Sequence, residues 1–146
     1  MRRLMTGLLA LALGGAMAGT AAADAVFHTQ RIPLTAVGGA PGGGTVVDAH
    51  ASGPQIASHE LYTLIGAVPG TYQVLVNLSP FSLDCTGPTF TIPEATITTN
   101  VSGNGQADAT FTPQDVAPFR GSTFSLSWTV TGPATYVTGC TVTVVD

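Results

Sequence analysis

The chain has 146 residues, which is enough for one domain, and 45% of them are hydrophobic, so a core can be buried. Eight acidic residues stand against four arginines and no lysine, which gives a formal net charge of −4. A surface this poor in cations repels phosphate backbones, and we therefore exclude nucleic acid as an expected partner.

The first 23 residues have the order of a secretory signal. Arg2 and Arg3 precede a mostly apolar run over 4–18, and three alanines at 21–23 form a small-residue cleavage pattern that is typical of bacteria. We expect cleavage after Ala23, with Ala25 as a shifted alternative, and a secreted or periplasmic domain over 24–146. The apolar run is short for a membrane span, although an uncleaved anchor is the alternative, and no later run predicts a span.

The segments that follow the signal read as short β-strands. The first covers 25–35, where Pro33 predicts an edge strand or a bulge. A glycine-rich loop over 38–44 separates it from a second strand over 45–51. This loop lacks the Lys-Ser/Thr ending of a phosphate-binding loop, so we interpret it as a connection.

The stretch Glu60–Leu78 is the strongest organising signal in the chain. Two β-prone runs flank Pro69-Gly70, where proline presets φ and glycine can take a positive φ. After this turn, alternate residues from Tyr72 to Leu78 are apolar, which predicts a half-buried strand with Tyr72 as a core anchor. We interpret the whole stretch as a β-hairpin.

Further strands are predicted towards the end of the chain. Residues 89–100 read as two half-strands divided by Pro93-Glu94, and Asn104-Gly105 is a hairpin signal before a strand through Phe111. A helical turn is predicted to start near Thr112, because proline follows it at the first helical position.

The segment Ser122–Thr131 has the cleanest strand alternation. Its apolar face places Trp128 in the core as a second anchor. In the last strand, we expect Cys140, Val142 and Val144 to face inward. About eight strands and no long helix predict an all-β, antiparallel β-sandwich, with a closed barrel as the second possibility.

The hairpin stretch carries a Gly-x-x-Pro-Gly-x-Tyr-x-Val pattern at Gly66–Val74. In this it resembles the central hairpin of bacterial secreted immunoglobulin-like and fibronectin-type modules, and of prealbumin-like domains of cell-surface proteins. The resemblance covers under a fifth of the mature chain and implies an immunoglobulin-like architecture, not a function. Trp128 lies 12 residues before the second cysteine. True immunoglobulin domains instead place their tryptophan soon after the first cysteine, so the chain departs from that family here.

The two cysteines, Cys85 and Cys140, predict one disulfide, since an exported chain with an even number of cysteines usually pairs them. A pair of free thiols is the alternative. No histidine is near either cysteine in the sequence, so nothing obvious would activate a catalytic thiol.

The three histidines, His28, His50 and His59, are the candidate transition-metal ligands, together with Asp48, which shares a strand face with His50. A metal site needs three or four converging ligands, and no close histidine pair is present, so we expect solvated histidines at strand edges and no cofactor. The carboxylates are scattered along the sequence, and a spatial pair of the kind that glycosidases use is left open.

We therefore expect a secreted, non-enzymatic module that binds a protein or carbohydrate partner or serves as a structural component. One alternative is a small metal-binding or hydrolytic enzyme that uses His28, His50 or His59. Another is a subunit of a surface fibre assembled by strand addition.

Overall fold

A computed structural model describes residues 27–51 and 58–145; the predicted signal and its cleavage site lie outside them. The described part is almost entirely β-structure. In chain order its elements are β1 (Phe27–Ala36), β2 (Gly43–Ala51), β3 (Ser58–Ile65), β4 (Thr71–Ser79), β5 (Phe90–Thr98), β6 (Gly105–Phe111), α1 (Pro113–Val116), a 3-10 turn (Ala117–Phe119), β7 (Ser122–Thr131), β8 (Thr135–Val137) and β9 (Thr141–Val145). None of the helices in this part has the length and apolar character that crossing a membrane would require.

The strands form one antiparallel sheet. Its order is β5-β4-β7-β8-β1-β2-β3-β6, and β9 pairs with β7 outside this path. The two ends of the order, β5 and β6, contact each other, so the sheet nearly closes into a barrel. The predicted all-β, antiparallel class is confirmed, whereas the immunoglobulin-like sandwich stays a prediction.

Alternation along the strands builds the core inside the barrel. In β4 and β7 the apolar positions predicted to face inward are buried, and the residues between them are more exposed except for Ser125, which is fully buried. Tyr72 and Trp128 are fully buried, as expected of core anchors. Pro33 lies in the part of β1 that pairs only with β2, since β8 meets β1 at Thr35 and Ala36, so β1 is an edge strand at this proline, as predicted.

The predicted hairpin over Glu60–Leu78 is wrong, although both of its strands exist. β3 pairs with β2 and β6, and β4 pairs with β5 and β7, so the two are not neighbours in the sheet. The β5–β6 unit is inserted between them. The connection after β3 instead bonds to the β5–β6 turn, where the Ala67 N–H donates to the Gly103 carbonyl at 3.0 Å.

The predicted inward face of the last strand is also wrong. Val142 and Val144 are exposed, and Thr143 and Val145 are the buried residues of β9. The pairing with β7 decides the phase, because Thr143 lies opposite the inward-facing Phe124. Cys140 is likewise exposed.

The predicted partner of Cys140 is nevertheless correct, because its Sγ lies 2.16 Å from that of Cys85, at disulfide distance. This link joins the loop after β4 to the β8–β9 connection.

The predicted helical turn is confirmed as α1, with Thr112 as N-cap in a capping box with Asp115. α1 directly follows β6 and brings Val116 into the core at one end of the barrel.

Candidate functional site

The barrel interior contains acidic side chains where the strand pattern calls for apolar ones. Asp48 on β2 is 2% exposed, Glu60 on β3 is 5% exposed, and the two are direct partners in the β2–β3 ladder. Both lie in phase with buried apolar neighbours, Val46 and Leu64, so the two-residue period of each strand turns them inward. Like charges that face each other across a ladder destabilise a sheet, so this pairing opposes folding whenever both carboxyl groups are ionised.

Glu60 is held by two hydrogen-bond donors from the core. The indole Nε1–H of Trp128 donates to Glu60 Oε2 at 2.7 Å, and the hydroxyl of Tyr62 donates to the same oxygen at 2.5 Å. Trp128 thus combines its role as a core anchor with a polar contact across the barrel. The position of the Glu60 carboxyl group is therefore set by β3 and β7 together.

Glu94 reaches the same group of residues through a β-bulge. Val74 pairs with Ala95 while its successor Leu75 pairs with Pro93, so Glu94 is the extra residue of β5. A bulge reorients side chains locally, and here the Glu94 Oε2 atom is hydrogen-bonded with the Tyr62 hydroxyl. Tyr62 consequently bridges the carboxyl groups of Glu60 and Glu94.

The bridge requires a shared proton. A tyrosine hydroxyl carries one proton, so it can donate to one carboxyl group and must accept a proton from the other. Burial and the nearby Glu94 raise the pKa of Glu60 from its usual 4.5 to about 8. Burial also raises the pKa of Glu94 and, in the same direction, that of Tyr62. The group therefore retains a proton at neutral pH.

Asp48 has an oxygen with no internal partner. Its Oδ2 atom is buried and makes no hydrogen bond within the described part of the chain, and Thr143 Oγ1 is in the same condition. The Asp48 Oδ1 atom lies 4.0 Å from Nδ1 of His50, which is 7% exposed on the same strand face. Burial raises the pKa of Asp48, and His50 opposes this rise.

These polar groups line a cavity of about 140 Å³ towards the α1 end of the barrel. Its remaining walls are largely apolar and come from five strands, β4, β5, β6, β7 and β9, and from α1 with the 3-10 turn. Typical wall residues are Val76, Leu78, Phe111, Val116, Phe124 and Leu126. The arrangement places the carboxyl groups of Asp48, Glu60 and Glu94 beside a largely apolar chamber.

The structure places two of the predicted histidine ligands, His50 and His59, on opposite faces of the sheet. His50 faces the interior, but His59 is on the outer face of β3, exposed and 3.8 Å from Asp108 Oδ2. The backbone of His28 lies opposite His50 in the β1–β2 ladder. The expectation that all three are solvated residues at strand edges is wrong for His50. Within 27–51 and 58–145, the His, Cys, Asp and Glu side chains nowhere form a group of three or more that could hold a metal ion.

Sequence reasoning missed Tyr62 and Glu94 as members of the site. Glu60 offered a signal, since it precedes Tyr62 and Leu64 in one alternation and so occupies an inward position. Glu94 offered none, because regular alternation with the buried Ile97 does not predict an inward Glu94 without the bulge.

The chain was compared with protein-family models, with curated proteins and with solved structures, and none of the three comparisons found a match.

Proposed function

We propose that this protein is a non-enzymatic binding protein that acts outside the cytoplasm and holds a small ligand inside its barrel. The observation that carries the proposal is the chamber beside Asp48, Glu60 and Glu94. Two buried acids, Asp48 and Glu60, and the partly buried Glu94 on apolar walls oppose folding, and a purely structural core would be more stable without them. Binding sites of this type combine mainly apolar walls with a few converging polar groups.

An extracellular location is supported by the Cys85–Cys140 pair, because disulfides persist in oxidising compartments. The signal-like residues 1–23 point the same way. The histidine-based hydrolase receives less support, since His50 and His59 lie on opposite faces of the sheet.

The volume sets the size of the ligand. A cavity of about 150 Å³ lined by apolar residues accommodates benzene, so about six non-hydrogen atoms fit here. We expect binding of at least one member of a panel of matched size: methylcyclopentane, cyclopentanol and cyclopentylamine. Titrations followed by NMR shifts of core residues and by melting temperature detect it.

A matched pair of variants locates the binding. Leu78→Phe fills part of the chamber, whereas Leu83→Phe makes the same change at an exposed position. We expect Leu78→Phe to weaken binding at least tenfold and Leu83→Phe to leave it unchanged. Failure of the whole panel to bind, or undiminished binding to a folded Leu78→Phe variant, would overturn the proposal.

A further inference from the structure

Resting on the proposed function, we infer that the ligand is a small organic ammonium cation, with its apolar body against the barrel wall and its charged nitrogen among the acids. The geometry that carries this inference is the convergence of Asp48, Glu60 and Glu94 on one side of the chamber. Ammonium groups supply three hydrogen-bond donors and a positive charge, which complement carboxylate oxygens that only accept.

Within the described residues, no lysine or arginine is placed beside these acids. The described residues that line the chamber include neither lysine nor arginine. Arg31 and Arg120, which are the two arginines of the described part, are both exposed. His50 is the sole basic side chain in the lining, and it lies on the Asp48 side. A ligand that carries its own positive charge would offset the cost of placing several carboxylates in an apolar space.

The second observation is the unpartnered oxygen of Asp48. The side chain is almost fully buried, it lines the chamber, and its Oδ2 atom lacks a hydrogen-bond partner in the described structure. A buried acceptor without a donor is unfavourable, so this atom is suited to receive an N–H from a ligand. Thr143 Oγ1, buried and also without a partner, lines the same chamber and can accept a further N–H.

The core donors already have their acceptor, which argues against an anionic ligand. The Trp128 indole and the Tyr62 hydroxyl both point at Glu60. An incoming carboxylate would meet three acids and no unused tryptophan or tyrosine donor among them. A neutral alcohol would fit the walls, but it would leave the charge of an ionised acid without a counter-charge.

Binding of the cation should release a proton. The titratable groups that line the chamber are Asp48 and His50 from β2, Glu60 from β3, Glu94 from β5 and Asp115 from α1. Tyr62 contacts both glutamates. In the empty protein the shared proton lies within the Glu60–Tyr62–Glu94 bridge. An ammonium ion that enters favours the ionised carboxylate, so one proton leaves to solvent while the ligand keeps its own, and the net charge of the site with its ligand is the same as before binding.

The test compares cyclopentylamine with cyclopentanol in calorimetric titrations at pH 6, 7 and 8. We expect the amine to bind at least tenfold more tightly at pH 7 and its Kd to fall by up to about tenfold per pH unit, because one proton is released. Titrations in two buffers with different ionisation enthalpies measure that proton directly. Equal affinity for the amine and the alcohol would overturn the inference and leave the proposed function intact.

Variants then assign the contacts. Asp48→Asn keeps the shape of the side chain and removes its charge; Asp108→Asn makes the same change on the outer surface, where the aspartate is exposed. We expect Asp48→Asn to lose amine affinity tenfold or more with cyclopentanol affinity unchanged, and Asp108→Asn to change neither. An equal loss for both ligands would show that Asp48 has only a structural role and would contradict the assignment. If Asp48→Asn does not fold, Glu94→Gln is used instead, and we expect it to weaken binding of the amine but not of cyclopentanol. The number of protons that the parent protein releases on binding the amine then tests the inference without any variant.

Discussion

Trp128 stabilises the barrel through both its volume and its N–H group. It is fully buried on β7, opposite Val76 of β4, and its indole is a hydrogen-bond donor to Glu60. Because one side chain fills the space between two walls of the barrel and also satisfies a buried acid, its loss affects packing and electrostatics together.

We expect Trp128→Ala to lower the free energy of unfolding by about 3–5 kcal/mol, since it leaves a large cavity. Phe90→Ala is the control, because Phe90 is exposed on β5 and should change stability by less than about 0.5 kcal/mol. Chemical denaturation of both variants measures the difference. Equal, small effects would mean that Trp128 is not part of the core.

The buried acids make the protein less stable at higher pH. Folded Glu60 holds its proton up to about pH 8, whereas in the unfolded chain it loses the proton near its usual pKa of 4.5. The folded state therefore binds more protons between these values, and stability falls as the pH rises through this window. The raised pKa values of Asp48 and Glu94 act in the same direction.

We expect Glu60→Gln to flatten this dependence, because glutamine keeps an oxygen that accepts from Trp128 and Tyr62 but does not ionise. Between pH 5 and pH 8 the melting temperature of the parent protein should fall by about 4 °C for each kcal/mol by which the free energy of unfolding decreases. The melting temperature of the variant should fall less over the same range. Asp108→Asn, at an exposed position, should keep the slope of the parent. A parent protein that gains stability over this range would contradict the assignment of Glu60 as a protonated acid.

At the level of elements, the contact between the β3–β4 connection and the β5–β6 turn organises one end of the barrel. Gly103 has a φ of 75° and is buried, and a Cβ atom there would lie 1.9 Å from the Ala67 carbonyl oxygen. No side chain fits without moving one of the two loops. This close approach lets the β5–β6 unit lie between β3 and β4.

We expect Gly103→Ala to destabilise the protein more than Gly39→Ala does. Gly39 has the same φ of 75° but nothing within 4 Å of its added Cβ, so it incurs only the left-handed backbone cost of about 1–2 kcal/mol. The overpacking at Gly103 should add about 1–3 kcal/mol. Urea denaturation of the two variants gives the comparison, and equal costs would show that the loops separate freely.

The bulge in β5 is the element that completes the candidate site. One extra residue opposite Val74 and Leu75 brings the Glu94 carboxyl group to Tyr62. The neighbouring Pro93 has no N–H for a ladder, which makes this a favourable place for the irregularity.

For the whole molecule, export and oxidation are predicted to occur together. We expect the mass of the mature protein to lack residues 1–23, or 1–25 for the shifted site, and to be lower by two hydrogens because Cys85 and Cys140 are joined. Intact mass measurement before and after reduction tests both points. A chain that retains Met1 would contradict the signal, and thiol labelling of both cysteines without reductant would contradict the disulfide.

The sequence by itself determined the positions of most strands, the inward faces of β4 and β7, the cysteine pair and the helical turn after Thr112; it missed β8 and divided β5 into two half-strands. The strands, their inward faces and the helical turn follow from local rules: the two-residue period, the conformations of proline and glycine, and the hydrogen bonds of a helix cap. The cysteine pair follows from the even number of cysteines in a chain predicted to be exported. Only the tertiary structure decided which strands are neighbours, the phase of β9 and the bulge at Glu94. Those features depend on pairing between distant segments. The convergence of Asp48, Glu60 and Glu94 depends on it too, because residues far apart in the chain line one chamber only when the sheet nearly closes into a barrel.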